Sequence, residues 1–325
     1  MTQHRVRIYE QGAPSALRYE SLPSTIGVPG LGQVRLRHDA VGLNFVDTMF
    51  RNGSFGVSLP FDMGVEGAGV VEAVGPGVEN LQVGDRVAYF FSFGAYSDVR
   101  LIAADVLIKL PEDISTRTAA ALVTKGLTAW MLLKKVHIVQ PGEYVLVQGA
   151  AGGVGSLVAS WAKSLGATVI AGVGSPSKVA SVKKQGIEHV LLNDDPEFAQ
   201  KVAAITNGRG VDVAYEFVGK STFRQSVSAL RDGGTMAHVG SASGAPAPID
   251  MLPIPARSIR YVQPSTSQYV NDRNSLDAAS CELFEAHRNK VFGEMSATAY
   301  ALADVVQAHE DIAARRITGS AILIP

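Results

Sequence analysis

Cysteine is almost missing from this chain. Cys281 stands alone, so no intrachain disulfide can form and a cysteine-rich zinc site is excluded. An excess of one charge is missing too: Lys and Arg total 29 against 30 Asp and Glu, a formal net charge of -1. That balance leaves no general attraction for nucleic acid or an anionic membrane surface. Met1 to Gln11 lacks the apolar stretch of a secretory signal. These absences imply a reducing, cytoplasmic setting, with small molecules or another subunit as partners. The run Tyr144 to Ala162 carries no charge, yet Gly149, Gly152, Gly153 and Gly155 cluster within it. Such clustering suits a tight turn between strand and helix rather than a membrane span.

What is present points to two domains, since 325 residues exceed the ~250 to 300 at which one core stops growing. The first third reads as short strands, Gln33 to His38 and Gly69 to Val74 among them, punctuated by glycine and proline. From about Thr124 the texture changes. Apolar runs at Glu143 to Val147, Thr168 to Val173, His189 to Leu192, Val211 to Phe217 and Thr235 to Val239 alternate with helical stretches. Parallel strands need crossover connections, so this alternation predicts an α/β fold with a doubly wound sheet beside a β-rich domain. After Tyr261 a polar linker leads to helices around Ser275 to Arg288 and Ala303 to Arg315 and a final strand, Ala321 to Ile324, expected to return to the first domain.

The strongest chemical signal is Gly149-Ala150-Ala151-Gly152-Gly153-Val154-Gly155, between an expected strand and an expected helix. Glycines there allow a tight turn, let backbone N–H groups approach a pyrophosphate and bring helix against strand. An ordinary flexible turn is the competing explanation. About 20 positions after the first glycine, NAD-specific domains carry an acidic residue for the ribose hydroxyls. Here the chain reads Gly174-Ser175-Pro176-Ser177-Lys178, without a carboxylate to repel a 2′-phosphate. That favours NADPH, with Ser175 and Lys178 as its contacts; the alternative is a helix cap and a solvated charge.

Across nearly its whole length the chain resembles the zeta-crystallin-like NADPH:quinone oxidoreductases, the zinc-free branch of the medium-chain dehydrogenase/reductase superfamily. The likeness is carried by Asn44-Phe45-Val46-Asp47-Thr48, Gly64-Val65-Glu66-Gly67-Ala68-Gly69, Val83-Gly84-Asp85-Arg86-Val87, Gly126-Leu127-Thr128-Ala129, the glycine loop and Gly319-Ser320. It implies a GroES-like catalytic domain over 1–123, completed by 265–325, and an NADPH-binding Rossmann domain over 124–264. It also implies no metal, because Val65 and Asn44 replace the histidine and cysteine of zinc-dependent relatives, and the seven histidines show no ligand spacing.

The resemblance places Asn44 beside the nicotinamide, where it orients the ring; a turn-forming asparagine is the alternative. Asp47 belongs either to the same site or to a helix cap. Lys125 and Thr128 approach the cofactor, unless Lys125 is merely an exposed lysine at a helix start. Phe217, Val218, Gly240, Ser241 and Ala242 line the nicotinamide half, and Arg315 helps hold the 2′-phosphate or is a solvated helix end. Several positions depart from close relatives. Met49, Phe55 and Met131 stand where tyrosines are expected, Gln263 for arginine, Ser241 for asparagine, and Asn193 for a phosphate-holding tyrosine. With Phe45 these make an apolar, polarizable pocket suited to a flat quinone, without an obvious acid. The expected reaction is hydride transfer from NADPH to a quinone. Alternatives are reduction of an enone or enal double bond on the same scaffold, and a crystallin-like NADPH-binding protein with little turnover. A homodimer joined near Ser258 to Val262 is also implied.

Overall fold

Along strand Gln33–Leu43, Val34, Leu36, His38 and Ala40 turn into a core while Arg35, Arg37 and Asp39 turn outward, the period-two pattern of a half-buried strand. The computed structural model describes residues 2–22 and 26–325. By contacts the chain divides into two units, Met1–Thr124 with Asp272–Ser280 and Met295–Pro325, and Lys125–Asn271 with Cys281–Glu294.

Among the described residues of the first unit, Gln33–Leu43 is central to a mainly antiparallel sheet. Its order is Ala297–Ala301, Ser320–Ile324, Gln33–Leu43, Gly67–Val74, Arg86–Tyr89, Ile108–Lys109. A smaller sheet pairs His4–Ile8 with Arg18–Ser21 and Phe61–Asp62. Val6, Ile8, Leu36, Met63, Val71 and Tyr96 belong to the core of this unit.

The second unit holds a parallel sheet whose strands we number β1 (Tyr144–Gln148), β2 (Thr168–Val173), β3 (His189–Leu192), β4 (Val211–Glu216), β5 (Leu230–His238) and β6 (Arg260–Val262). Among the described residues its order is β3-β2-β1-β4-β5-β6. Val145, Leu146 and Val147 are all buried, as expected when helices cover both faces of a parallel sheet. The order reverses between β1 and β4, and ligands of such folds bind outside the carboxyl ends of the strands at that reversal. The uncharged run 144–162 resolves into β1, the glycine turn and helix Gly153–Ser164. No helix of the described residues is long and apolar enough to cross a membrane.

The tail divides differently from the expected return of 265–325 to the first domain. Residues 265–271 and 281–294 group with the second unit. Leu283 fills the space that the missing side chain of Gly126 leaves, and Phe292 packs edge-on against Trp161.

Candidate active site

The carboxyl ends of β1 to β6 gather the residues expected to hold a dinucleotide. After β1, Gly149 adopts φ +72 and starts the turn into helix Gly153–Ser164. A Cβ on Gly155 would lie 2.3 Å from the Gly149 carbonyl oxygen, so only glycine lets helix and turn approach this closely. Ala150 and Ala151 pack inward, whereas Gly152, Gly153 and Val154 remain partly accessible. The helix begins at Gly152, which has no side chain to cap its first amides, and no acidic residue stands in its first turn. Uncapped amides and the helix dipole together favour an anion.

After β2, Gly174 is exposed with open space around it. Ser175 occupies the N-cap position of the short helix Pro176–Lys178, and its hydroxyl lies 2.9 Å from that of Ser177. No carboxylate lies in this stretch. Asn193, just past β3, donates its backbone N–H to Val173, while its side-chain oxygen is buried without a partner. Beside it lies Gln148, fully buried at the end of β1, both of whose amide atoms also lack partners. Gly172 makes room for both: its Cβ would stand 2.0 Å from the Gln148 oxygen and 2.8 Å from that of Asn193.

Past β4, Phe217 and Val218 flank Gly149. Their loop is held by Glu216, a fully buried carboxylate accepting from the Val218 and Gly219 N–H groups, Thr222 and Ser226 at 2.7 to 3.0 Å. Desolvation raises the Glu216 pKa, against the pull of these donors. The loop after β5 is fastened to the same stretch, with Ala242 and Ser243 donating backbone N–H groups to Phe217 and Val218. Gly240 packs on Phe217 and Ser241 on Gly219. Ser241 also meets His238, which the sequence reading did not single out: Oγ and Nε2 are 3.0 Å apart. The other ring nitrogen of His238 lies 2.9 Å from the Tyr261 hydroxyl and 3.2 Å from the Gln263 amide nitrogen.

In the first unit, Asn44 is the N-cap of helix Phe45–Asn52. Its backbone N–H donates to Asp47 at 2.8 Å and its side-chain amide to Glu66 at 2.9 Å. Asp47 is fully buried and also accepts from the Tyr96 hydroxyl at 2.8 Å. The cap alternative is therefore the one the geometry supports for Asp47, which positions Asn44. Phe45 and Met49 lie one helical turn apart, both half-buried, and the Phe55 N–H bonds the Met49 carbonyl. Phe55 joins an aromatic group with Phe50, Phe61, Phe91 and Phe93, of which Phe91 and Phe93 are also exposed. Phe91 and Phe93 were not anticipated, because no periodicity marks an irregular loop.

Three expectations are corrected. Lys125 is not at a helix start but within Thr116–Met131, and it is 5% exposed. Met131 is fully enclosed where that helix passes into the π-helical turn Leu132–Val136, so it serves the core of the second unit rather than an open pocket. Arg315 is not within a helix: it follows helix Val305–Ala313 with φ +58, in the first unit, whereas Ser175 and Lys178 are in the second. Thr128 is half-buried, with its hydroxyl 3.1 Å from that of Thr266.

Residues 30–112 match the family model for the alcohol dehydrogenase GroES-like domain and residues 153–280 that for zinc-binding dehydrogenase. The chain is 38% identical to a 2-haloacrylate reductase of Burkholderia sp, covering 98% of each chain. It is 37% identical to quinone oxidoreductase 1 of Escherichia coli, covering 99% of each. The crystal structure of Escherichia coli quinone oxidoreductase complexed with NADPH superimposes with a TM-score of 0.94 at 36% identity, over 99% of this chain and 100% of that one. The chain belongs to the quinone oxidoreductase family of the medium-chain dehydrogenases and reductases. As a member of that family it is an oxidoreductase with a GroES-like domain and a Rossmann-type domain. Despite the wording of the second family model, no group of three His, Cys, Asp or Glu among the described residues stands close enough to hold a metal.

Proposed function

We propose that this protein is an NADPH-dependent, zinc-independent oxidoreductase whose acceptors are quinones. The observation that carries the cofactor is the glycine-lined, uncapped helix start at the point where strand order reverses, followed after β2 by Ser175 and Lys178 with no carboxylate. Bound there, NADPH supplies a hydride. The second unit's own task is positioning, with Gly149 to Gly155 on the pyrophosphate, Ser175, Lys178 and Asn193 toward the 2′-phosphate, and Thr128, Val218 and Ser241 toward the nicotinamide. Phe45, Met49 and Phe55 would offer the acceptor a polarizable surface.

Zinc does not fit the first unit: Val65 offers no donor atom, and the Asn44 amide is committed to Glu66. A homodimer through β6 is favoured because that strand ends the sheet, and pairing would cover its open edge. The balanced charge and the solitary cysteine fit a cytoplasmic setting.

A second reading, reduction of an electron-poor carbon–carbon double bond, is favoured by the similarity to the 2-haloacrylate reductase. An acceptor screen following NADPH oxidation with benzoquinone, naphthoquinone, enals and a 2-haloacrylate separates the two. Quinones should give the highest kcat/KM. Efficient turnover of the alkenes with no quinone turnover would replace the first reading by the second. Tight NADPH binding without any acceptor would leave a binding protein.

A further inference from the structure

The apolar pocket inferred from the sequence contains no obvious acid, yet two-electron reduction of a double bond needs a proton as well as a hydride. The cluster at the ends of β5 and β6 supplies a route for one. The Gln263 amide nitrogen carries only hydrogens, so at 3.2 Å from Nδ1 of His238 it can act only as a donor. That makes Nδ1 an acceptor and places the ring proton on Nε2, which points at Ser241 Oγ at 3.0 Å. A serine oxygen receiving a hydrogen bond from a neutral imidazole keeps its own hydrogen to donate elsewhere. Tyr261, 2.9 Å from Nδ1, is half-buried and connects the chain to water. The Phe223 ring packs edge-on against the imidazole at 5.3 Å and holds it in place. Tyr261 is the titrating side chain in contact with His238, and Glu216 is the register neighbour of His238 across the β4–β5 pair.

The placement follows from the fold. A pyrophosphate at the β1 turn, with the 2′-phosphate beyond β2, leaves the β4 to β6 side for the reacting half of the dinucleotide. Ser241 stands on that side.

We propose that Ser241, backed by His238 and Tyr261, delivers the proton that completes reduction of an activated alkene. The proposal rests on the NADPH reading above. The acceptor gains two electrons with the hydride, and its π pair moves to the α-carbon or the carbonyl oxygen. That atom then takes the Ser241 hydroxyl proton as the Ser241 O–H bond breaks. The serine oxygen takes the Nε2 proton of His238 and Nδ1 takes the phenolic proton of Tyr261, which water reprotonates; the imidazole, left with its proton on Nδ1, returns to the Nε2–H form by proton exchange with water before the next turnover. One proton from water is consumed per turnover. Ser241 would touch the acceptor; His238 and Tyr261 act through it.

Two measurements test this, one of them without any ligand. In ¹⁵N-labelled protein, imidazole correlations should show His238 neutral with its proton on Nε2, and Tyr261→Phe with Gln263→Leu should release the ring to a mixture of tautomers. In turnover, Ser241→Ala should lower reduction of a 2-haloacrylate by about 100-fold or more, the scale of positioned acid catalysis. It should slow a quinone, whose reduced anion collects protons from solvent, far less. Tyr261→Phe should give a smaller loss in the same direction and alter the solvent deuterium isotope effect on alkene reduction. An Nδ1–H tautomer, or equal losses for both acceptors with an unchanged isotope effect, overturns the relay while the functional reading stands. Wild-type protein that oxidises NADPH with neither acceptor overturns both.

Discussion

The buried polar groups around Asn44 in the first unit and those at the tips of β1 and β3 in the second are treated in opposite ways. In the first, Asn44, Asp47, Glu66, Tyr96, His309 and Arg51 form a connected chain of contacts between 2.8 and 3.3 Å. In the second, the strand tips carry a fully buried Gln148 with two orphaned amide atoms, an orphaned Asn193 oxygen and a helix start without a cap. Buried polar atoms without partners cost about 1 to 3 kcal/mol each. They persist in native proteins mainly where function requires them. The contrast assigns rigidity to the first network and ligand capture to the second region.

Acid should expose the difference most strongly. His38, between the Ser97 carbonyl and the Tyr89 hydroxyl, and His309, beside Arg51, are both driven by desolvation down to about 3. Their unfolded value is 6.5, so the unfolded chain binds more protons between those limits. The stability these histidines contribute is complete above the unfolded value and is lost as pH falls toward the folded one. The loss is about 1.4 kcal/mol per pH unit for each. Glu216 in the second unit has the opposite sign. Its raised pKa means that its contribution is present below 4.5 and lost as pH rises through the folded value. Asp212, where burial is outweighed only by Arg231, the Tyr144 N–H and Arg209 acting together, loses its share as pH falls through its depressed folded value. Peptide-resolved hydrogen exchange on acidification from neutral pH to about 4 should show the first unit opening first. Simultaneous loss of protection in both units would break the comparison.

The framework that carries this contrast was legible in the sequence; the contrast itself was not. Strands β2 and β3 fall where their apolar runs predicted, and the glycine turn was placed by its own letters, because both signals are local. Burial and partnership are not local. Lys125 looked like a residue at a helix start, but the helix runs on from Thr116, and nothing in the letters shows that the lysine is enclosed. Met131 has the composition of a pocket residue and the position of a core one. His238, Ser241, Tyr261 and Gln263 meet because the parallel register sets Met236 against Tyr261 and Ala237 against Val262. That register appears only when the sheet is assembled.

A charge substitution sharpens the second half of the comparison with a smaller effect. Lys178, at the end of the short helix after β2, is the cation we propose for a 2′-phosphate. A hydrogen bond to a charged group contributes about 1.5 to 3 kcal/mol. Lys178→Ala should therefore weaken NADPH by about 10- to 150-fold. NADH, which lacks that phosphate, should bind as before. Titration of the two dinucleotides into wild-type and variant protein reads this directly, and an equal loss for both would remove Lys178 from the site.

The smallest effect concerns Gln148, and it asks whether the orphaned amide is real. Two polar atoms without partners in a fully buried side chain penalise the free protein, and methionine has nearly the same length without them. Replacing a buried polar group by an apolar one of similar shape is neutral to stabilising when no hydrogen bond is lost. Gln148→Met should therefore stabilise the dinucleotide-free second unit by about 1 kcal/mol. Denaturant unfolding followed by tryptophan fluorescence is suited to the measurement, since Trp130 and Trp161 both belong to that unit. Gly172 puts no side chain against position 148, so a thioether of nearly the same length can take the place of the amide. A loss of about 1 to 3 kcal/mol instead would mean that the amide is hydrogen-bonded in solution. The polar groups at the tips of β1 and β3 would then be partnered as the Asn44 amide is, and the distinction between the two regions would disappear.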